Sequence, residues 1–209
     1  MIRSFLLGVI CLLVVGCATT KSVKKGYQLN EATDKGVFVA SISYQGGYSG
    51  YSIRFSASNG QSSGQIEFGK GMSLIPIPPK GDYSHIGRKG QLYVVELPAG
   101  DYTVFGWQVA SGYATTKPQM PISINFKVQP GKATYIGNFD FVQTSGLGLT
   151  VTGVEVNYTE QSNIDLEVLK RRFPNINVSD VIMGIKPSFS MEGIGGENST
   201  SWNMPMVIM

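Results

Sequence analysis

The chain has 209 residues, with 17 Lys and Arg against 14 Asp and Glu and a formal net charge of +3. A balance this even sets up no field to steer a polyanion, so nucleic acid is not an expected partner. Charged residues are 15% of the chain against about 25% in an average soluble domain, and with 26 Gly such a composition belongs to extracytoplasmic β proteins with many tight turns.

Met1-Ile2-Arg3 supplies a positive start, Phe5 to Val15 an apolar run, and Gly16 a small residue where a signal peptidase cuts. A spanning helix needs about 20 apolar residues, which this run does not reach. Val14-Val15-Gly16-Cys17 resembles a bacterial lipobox. The resemblance implies that Cys17 takes a diacylglyceryl group and becomes the new N-terminus, with residues 1–16 removed as a signal peptide. Each buried CH₂ of an acyl chain contributes about 0.8 kcal/mol, so two or three chains hold a protein on a lipid bilayer. Ala18 in place of an aspartate implies the outer membrane, on the side facing the periplasm. Cys11 leaves with the signal, and the one remaining thiol allows no intrachain disulfide, no zinc-finger spacing and no catalytic cysteine in the mature domain.

Residues 17–35 are polar, carry Lys21, Lys24 and Lys25 and have no sustained apolar period, so a flexible tether is expected. Lysines beside a lipid anchor attract anionic head groups by about 1 kcal/mol each. Segments of period two follow, broken by Gly, Pro, Asn and Ser. Phe38, Ala40, Ile42 and Tyr44 share one side of a first strand; Tyr51, Ile53, Phe55 and Ala57 share one side of a second; Ile66 and Phe68 mark a third. The segments 91–97 and 101–109, separated by Pro98-Ala99-Gly100, predict a central antiparallel hairpin. Ile122 to Val128 alternates and turns at Gln129-Pro130-Gly131. Lys132 to Val142 and Leu149 to Tyr158 complete seven or eight strands, joined by a loop over 143–148. Stacking hides edges that one open sheet leaves exposed, so the expected fold is all-β: a two-sheet antiparallel β-sandwich over 36–187.

One helix is expected over 162–173. Ser162 and Asp165 form a capping pattern, Pro174 stops it, and Lys170, Arg171 and Arg172 suit its C-terminal dipole. Leu166, Leu169 and Phe173 make its apolar stripe, for packing across an open end of the sandwich; the three cations could instead make a basic docking surface. Asp180 to Lys186 suggests another strand. The tail 188–209 is rich in Gly, Ser and Met and ends on apolar Met204 to Met209, which is expected to pack on the domain or on a partner.

Glu96-Leu97-Pro98-Ala99-Gly100-Asp101-Tyr102-Thr103-Val104, followed by Phe126-Lys127-Val128-Gln129-Pro130-Gly131-Lys132-Ala133-Thr134-Tyr135-Ile136-Gly137, resembles uncharacterised bacterial envelope lipoproteins with a prealbumin-like or carboxypeptidase-regulatory-like β-sandwich. Phe173-Pro174 matches the end of the helix that often follows there. The likeness spans roughly Gly36 to Lys186 and rests on turns and strands. It implies a fold and an envelope setting, and no chemistry.

The mature chain has one histidine, His85, in a loop over 76–90 with Lys80, Asp82, Tyr83, Arg88 and Lys89. No nucleophile elbow, zinc-protease or phosphate-loop pattern occurs in the chain. No catalytic residue, metal or cofactor is therefore assigned. Tyr83, His85, Arg88 and Lys89 combine an aromatic with cations and make a candidate ligand-facing edge. Tyr44, Tyr48, Tyr51 and Tyr113 add rings that suit stacking on a glycan or peptide. The expected role is a non-catalytic binding or assembly module of the envelope, with a protein or glycan partner. Two other roles stay open: an envelope hydrolase working through the His85 loop, and a purely structural component.

Overall fold

The computed structural model describes residues 20–71 and 78–203; the expected signal peptide, Cys17 and the apolar C-terminal end lie outside the described residues. With strands numbered in chain order, one sheet holds β1 (Lys35–Gln45), β4 (Lys89–Pro98), β8 (Ala133–Leu147), β9 (Thr150–Thr159), β10 (Ile182–Met183) and β11 (Ser190–Met191). Its order is β11-β9-β8-β1-β4, with β10 also beside β8. The second holds β2 (Gly50–Ala57), β3 (Ser63–Phe68), β5 (Gly100–Ser111), β6 (Ala114–Pro118), β7 (Ile124–Val128) and β12 (Asn198–Trp202), in the order β12-β6-β5-β2-β3 with β7 also beside β5. The fold is an all-β two-sheet sandwich with a single α-helix among the described residues, α1 (Ser162–Arg172). Pairing is antiparallel except where β8 meets β1 and β10, which run parallel to it.

Alternation builds the core. Phe38 of β1 meets Phe55 of β2 at 5.1 Å between ring centroids and Phe126 of β7 at 5.4 Å. Tyr44 stacks on Tyr51 at 4.8 Å, closing the same layer between the sheets. Each such side chain, fully buried, contributes about 1.5–3 kcal/mol. The other face of β1, carrying Val37, Val39, Ser41 and Ser43, is buried as well. A second layer, made by α1 and the segment 78–90, covers it.

The turn Pro98-Ala99-Gly100 does not close the expected hairpin. β4 pairs with β1 in one sheet and β5 with β2 in the other, so the turn is a corner between sheets. The Ala99 amide donates to the Asp34 carbonyl and the Tyr102 hydroxyl to the Pro98 carbonyl, fixing that corner. β4 is therefore an edge strand of its sheet, not a central one; its two apolar faces meet the facing sheet and the outer layer. Gln129-Pro130-Gly131 is a corner of the same kind, from β7 to β8. A tight turn with Gly serves a hairpin and a corner equally well, so local sequence does not separate them. The expected loop over 143–148 is mostly strand: β8 runs on to Leu147 and turns at Gly148-Leu149.

Both ends of the described chain close the lateral openings of the sandwich. The expected tether, where described, lies against the domain. The Thr20 amide donates to the Gln65 carbonyl of β3, the Val23 amide to the Val94 carbonyl of β4, and the Val94 amide to Ser22 Oγ. Tyr27 then donates to Glu96 at 2.8 Å, and Lys132 pairs with Glu31 at 2.6 Å. At the opposite side the segment 190–202 belongs to the domain, with β11 on β9 and β12 on β6. Between these strands Ile194 is buried and its carbonyl accepts from Trp107 Nε1 at 2.8 Å.

Candidate functional site

Helix α1 lies on the outer face of the β1 sheet because its inward side carries Asp165, Val168 and Leu169, all buried. The expected capping pattern is not formed: Gln161 occupies the N-cap with no side-chain bond to the helix amides, and the Ser162 amide donates to Glu160 Oε1 at 2.7 Å. Asp165 points into the protein instead. Its carboxylate accepts from Ser41 Oγ of β1 at 2.6 Å, Tyr83 OH at 2.6 Å and Tyr135 OH of β8 at 2.8 Å. Burial pushes the Asp165 carboxyl up, opposed by the three hydroxyl donors. The Tyr83 and Tyr135 phenols are pushed up by burial and by the charge of Asp165.

Arg88 enters the same layer from the segment before β4. It donates to Ser43 Oγ at 2.7 Å, to Asn138 Oδ1 at 2.5 Å and to Gln161 Oε1, and its guanidinium lies 5.4 Å from the centre of the Tyr83 ring. Asp82 ties this segment to the far end of α1 through an ion pair with Arg172, while its Oδ2 also accepts from the Leu92 amide at 2.8 Å. Arg171 donates to the Asp82 carbonyl at 3.0 Å. Arg172 is thus committed to an ion pair within the fold, while Lys170 and Arg171 are exposed at the helix end.

The four residues of the expected ligand-facing edge separate. Tyr83 is fully buried and Arg88 partly so, both inside the network around Asp165, Ser43 and Asn138. His85 is exposed on a short turn, Ser84–Ile86; its Nδ1 faces the Asp82 carbonyl at 3.1 Å, and among the described residues no hydroxyl or carboxylate side chain hydrogen bonds to it. Lys89 donates to the Gly46 carbonyl at 3.2 Å, over the Tyr44 ring. Tyr44 and Tyr51 are core residues, Tyr48 is half-buried, and Tyr113 is open to solvent. Ser41, Ser43, Tyr135, Asn138 and Asp165 were not legible as a group, because two strands and a helix far apart in sequence supply them. The one local signal was polar Ser41 and Ser43 on a strand otherwise apolar.

Two of the solvent-open features bear on binding. A groove of about 590 Å³ runs between β7 and β10 over Tyr102, Phe126, Lys127, Ile182 and Met183, with the buried Thr134 hydroxyl at its wall and, among the described residues, without a hydrogen-bond partner. The second is an apolar end of the sandwich. The β8–β9 turn exposes Leu147 and Leu149, at 68% and 82%, and the β5–β6 turn exposes Tyr113 at 49%. Trp202, 46% exposed, pairs with Ala114 beside that turn. Asn198 Nδ2 reaches the Val154 carbonyl and Thr200 Oγ1 the Thr152 carbonyl, a progression that puts Trp202 level with Thr150, next to Leu149. Among the described residues no three His, Cys, Asp or Glu stand together to hold a metal ion.

No family model and no curated protein matches the chain. Among solved structures, a leucine-rich repeat protein from Bacteroides thetaiotaomicron aligns over 51% of this chain at 17% identity, with a TM-score of 0.28. The chain spans 14% of that protein's length, and a likeness so slight carries no argument about fold or role.

Proposed function

We propose that the chain is an envelope lipoprotein, held at the outer membrane and facing the periplasm by acylated Cys17, whose sandwich is a non-catalytic module for binding or assembly with a protein partner. The observation that carries this reading is the apolar end formed by Tyr113, Leu147, Leu149 and Trp202. Large apolar side chains exposed together on two adjoining turns mark an interaction surface, whereas scattered single ones do not. The lipobox-like tetrapeptide and the resemblance to envelope β-sandwich lipoproteins supply the location. A hydrolase working through His85 draws no support from an exposed imidazole facing a carbonyl.

The test has two arms in living cells. Radiolabelled palmitate is expected to enter the wild type and not Cys17→Ala. A photo-crosslinking residue at position 149 is expected to give an adduct of defined mass that one at exposed Ile86 does not, and Leu147→Ser is expected to abolish it. An unlabelled wild type overturns the anchor, and equal crosslinking from both positions overturns the apolar end as the binding surface.

A further inference from the structure

We infer that the anchor lays the β3–β4 edge of the sandwich against the bilayer, with Lys21, Lys24 and Lys25 on anionic lipid head groups, so that the opposite edge, β11 and β12, faces away from the membrane. This rests on the acylation of Cys17 proposed above. The expected leader of 17–35 would, as a free coil, span roughly 25 Å and leave the domain unoriented. Its described part is not free. Thr20 is bonded to Gln65 of β3, and Ser22 and Val23 are bonded to Val94 of β4. The chain between Cys17 and Thr20 reaches at most about 10 Å even when fully extended. An acyl group at Cys17 therefore holds this edge, and no other part of the domain, at the head-group level.

The charge on that edge fits an anionic surface. Lys21, Lys24 and Lys25 are exposed, and none is in an ion pair among the described residues. Of the acids nearby, Glu96 is paired with Lys35, Asp82 with Arg172, and Glu67 is partly buried, which leaves exposed Asp34 as one negative charge against the three lysines. A lysine at an anionic membrane adds about fivefold to partitioning, so three suffice to choose one orientation. In the first sheet, four strand spacings separate β4 from β11, which puts the far edge about 19 Å from the membrane-facing one.

The experiment uses the mature lipidated protein in vesicles of phosphatidylethanolamine and phosphatidylglycerol, with a nitrobenzoxadiazole label at Ser63→Cys on β3 or Ser199→Cys on β12, both exposed positions. Quenching by head-group spin-labelled lipid is expected at position 63 and absent at position 199. A long Gly-Ser insertion between Thr19 and Thr20 combined with K21E, K24E and K25E is expected to abolish that difference. Mass spectrometry of the same sample separates the two ways of failing. No acyl mass on Cys17 overturns the anchor and the orientation together; an acylated chain quenched equally at both positions overturns the orientation alone.

Discussion

Asp165 joins the helix to the sheet through three hydroxyl donors, and its removal leaves Ser41, Tyr83 and Tyr135 without an acceptor in a site closed to water. An unsatisfied buried polar group costs about 1–3 kcal/mol, so Asp165→Ala is expected to lose about 3 kcal/mol or more in urea unfolding, and Asp165→Asn, which keeps a carbonyl acceptor, less. Burial raises this carboxyl above its unfolded value, so the stability linked to its proton is fully present below the unfolded carboxylate range and is lost as pH rises through the folded value. The advantage of wild type over Asp165→Asn should therefore shrink from acid to neutral pH; an advantage that grows would contradict the raised direction. Gly137 is a second residue with one permitted identity. Its φ is +104°, beside the bulge where β8 slips against β1, and an added Cβ would lie 2.8 Å from the Tyr158 ring. Gly137→Ala is expected to cost about 2 kcal/mol or more, read as a lower urea midpoint with an unchanged slope. The glycine was visible in Ile136-Gly137, but the bulge that requires it depends on pairing with β1.

An unpaired strand edge is a template for another chain, and β4 would present one if the leader did not cover it. The Val94 amide, held by Ser22 Oγ at 3.1 Å, reports on that cover. Further along, the leader is fastened by carboxylates: Lys35 and then Tyr27 hydrogen-bond Glu96 and hold its carboxyl below the usual range, and Lys132 does the same to Glu31. Folded values depressed in this way stabilise the docked leader above the unfolded range, and that stability is lost as pH falls through the folded values. Amide exchange at Val94 is expected to accelerate on acidification relative to Val39 in the middle of the sheet; equal acceleration at both would show that leader and core open together. The strands were legible at this scale, because alternation over 38–44, 51–57 and 122–128 reports which residues face a core. Whether two strands joined by a short turn share a sheet was not, since Pro98-Ala99-Gly100 has the same local chemistry at a corner as in a hairpin.

At the scale of the whole molecule the sandwich is closed on one side by the leader and on the other by the segment 190–202. A chain ended at Lys186 loses buried Ile194 and the acceptor of the Trp107 indole, contributions of about 2 and 1 kcal/mol. Such a chain is expected to unfold at lower urea with Trp107 emission shifted to the red, and Trp107 would then be its one tryptophan. Unchanged emission would mean that the tail does not shield the indole. By itself the sequence determined the all-β class, the faces of the main strands and a helix over 162–173, observed as Ser162–Arg172, because these follow from periodicities of two and of about 3.6 within one segment. Only the tertiary structure decided the sheet to which each strand belongs, the inward turn of Asp165, the burial of Tyr83 and the docking of the segments 20–35 and 190–202. Those depend on contacts between segments far apart in the chain, 124 residues from Ser41 to Asp165 and 149 from Gly26 to Asn175, and no local pattern encodes which distant partner will satisfy a buried polar group or cover an open edge.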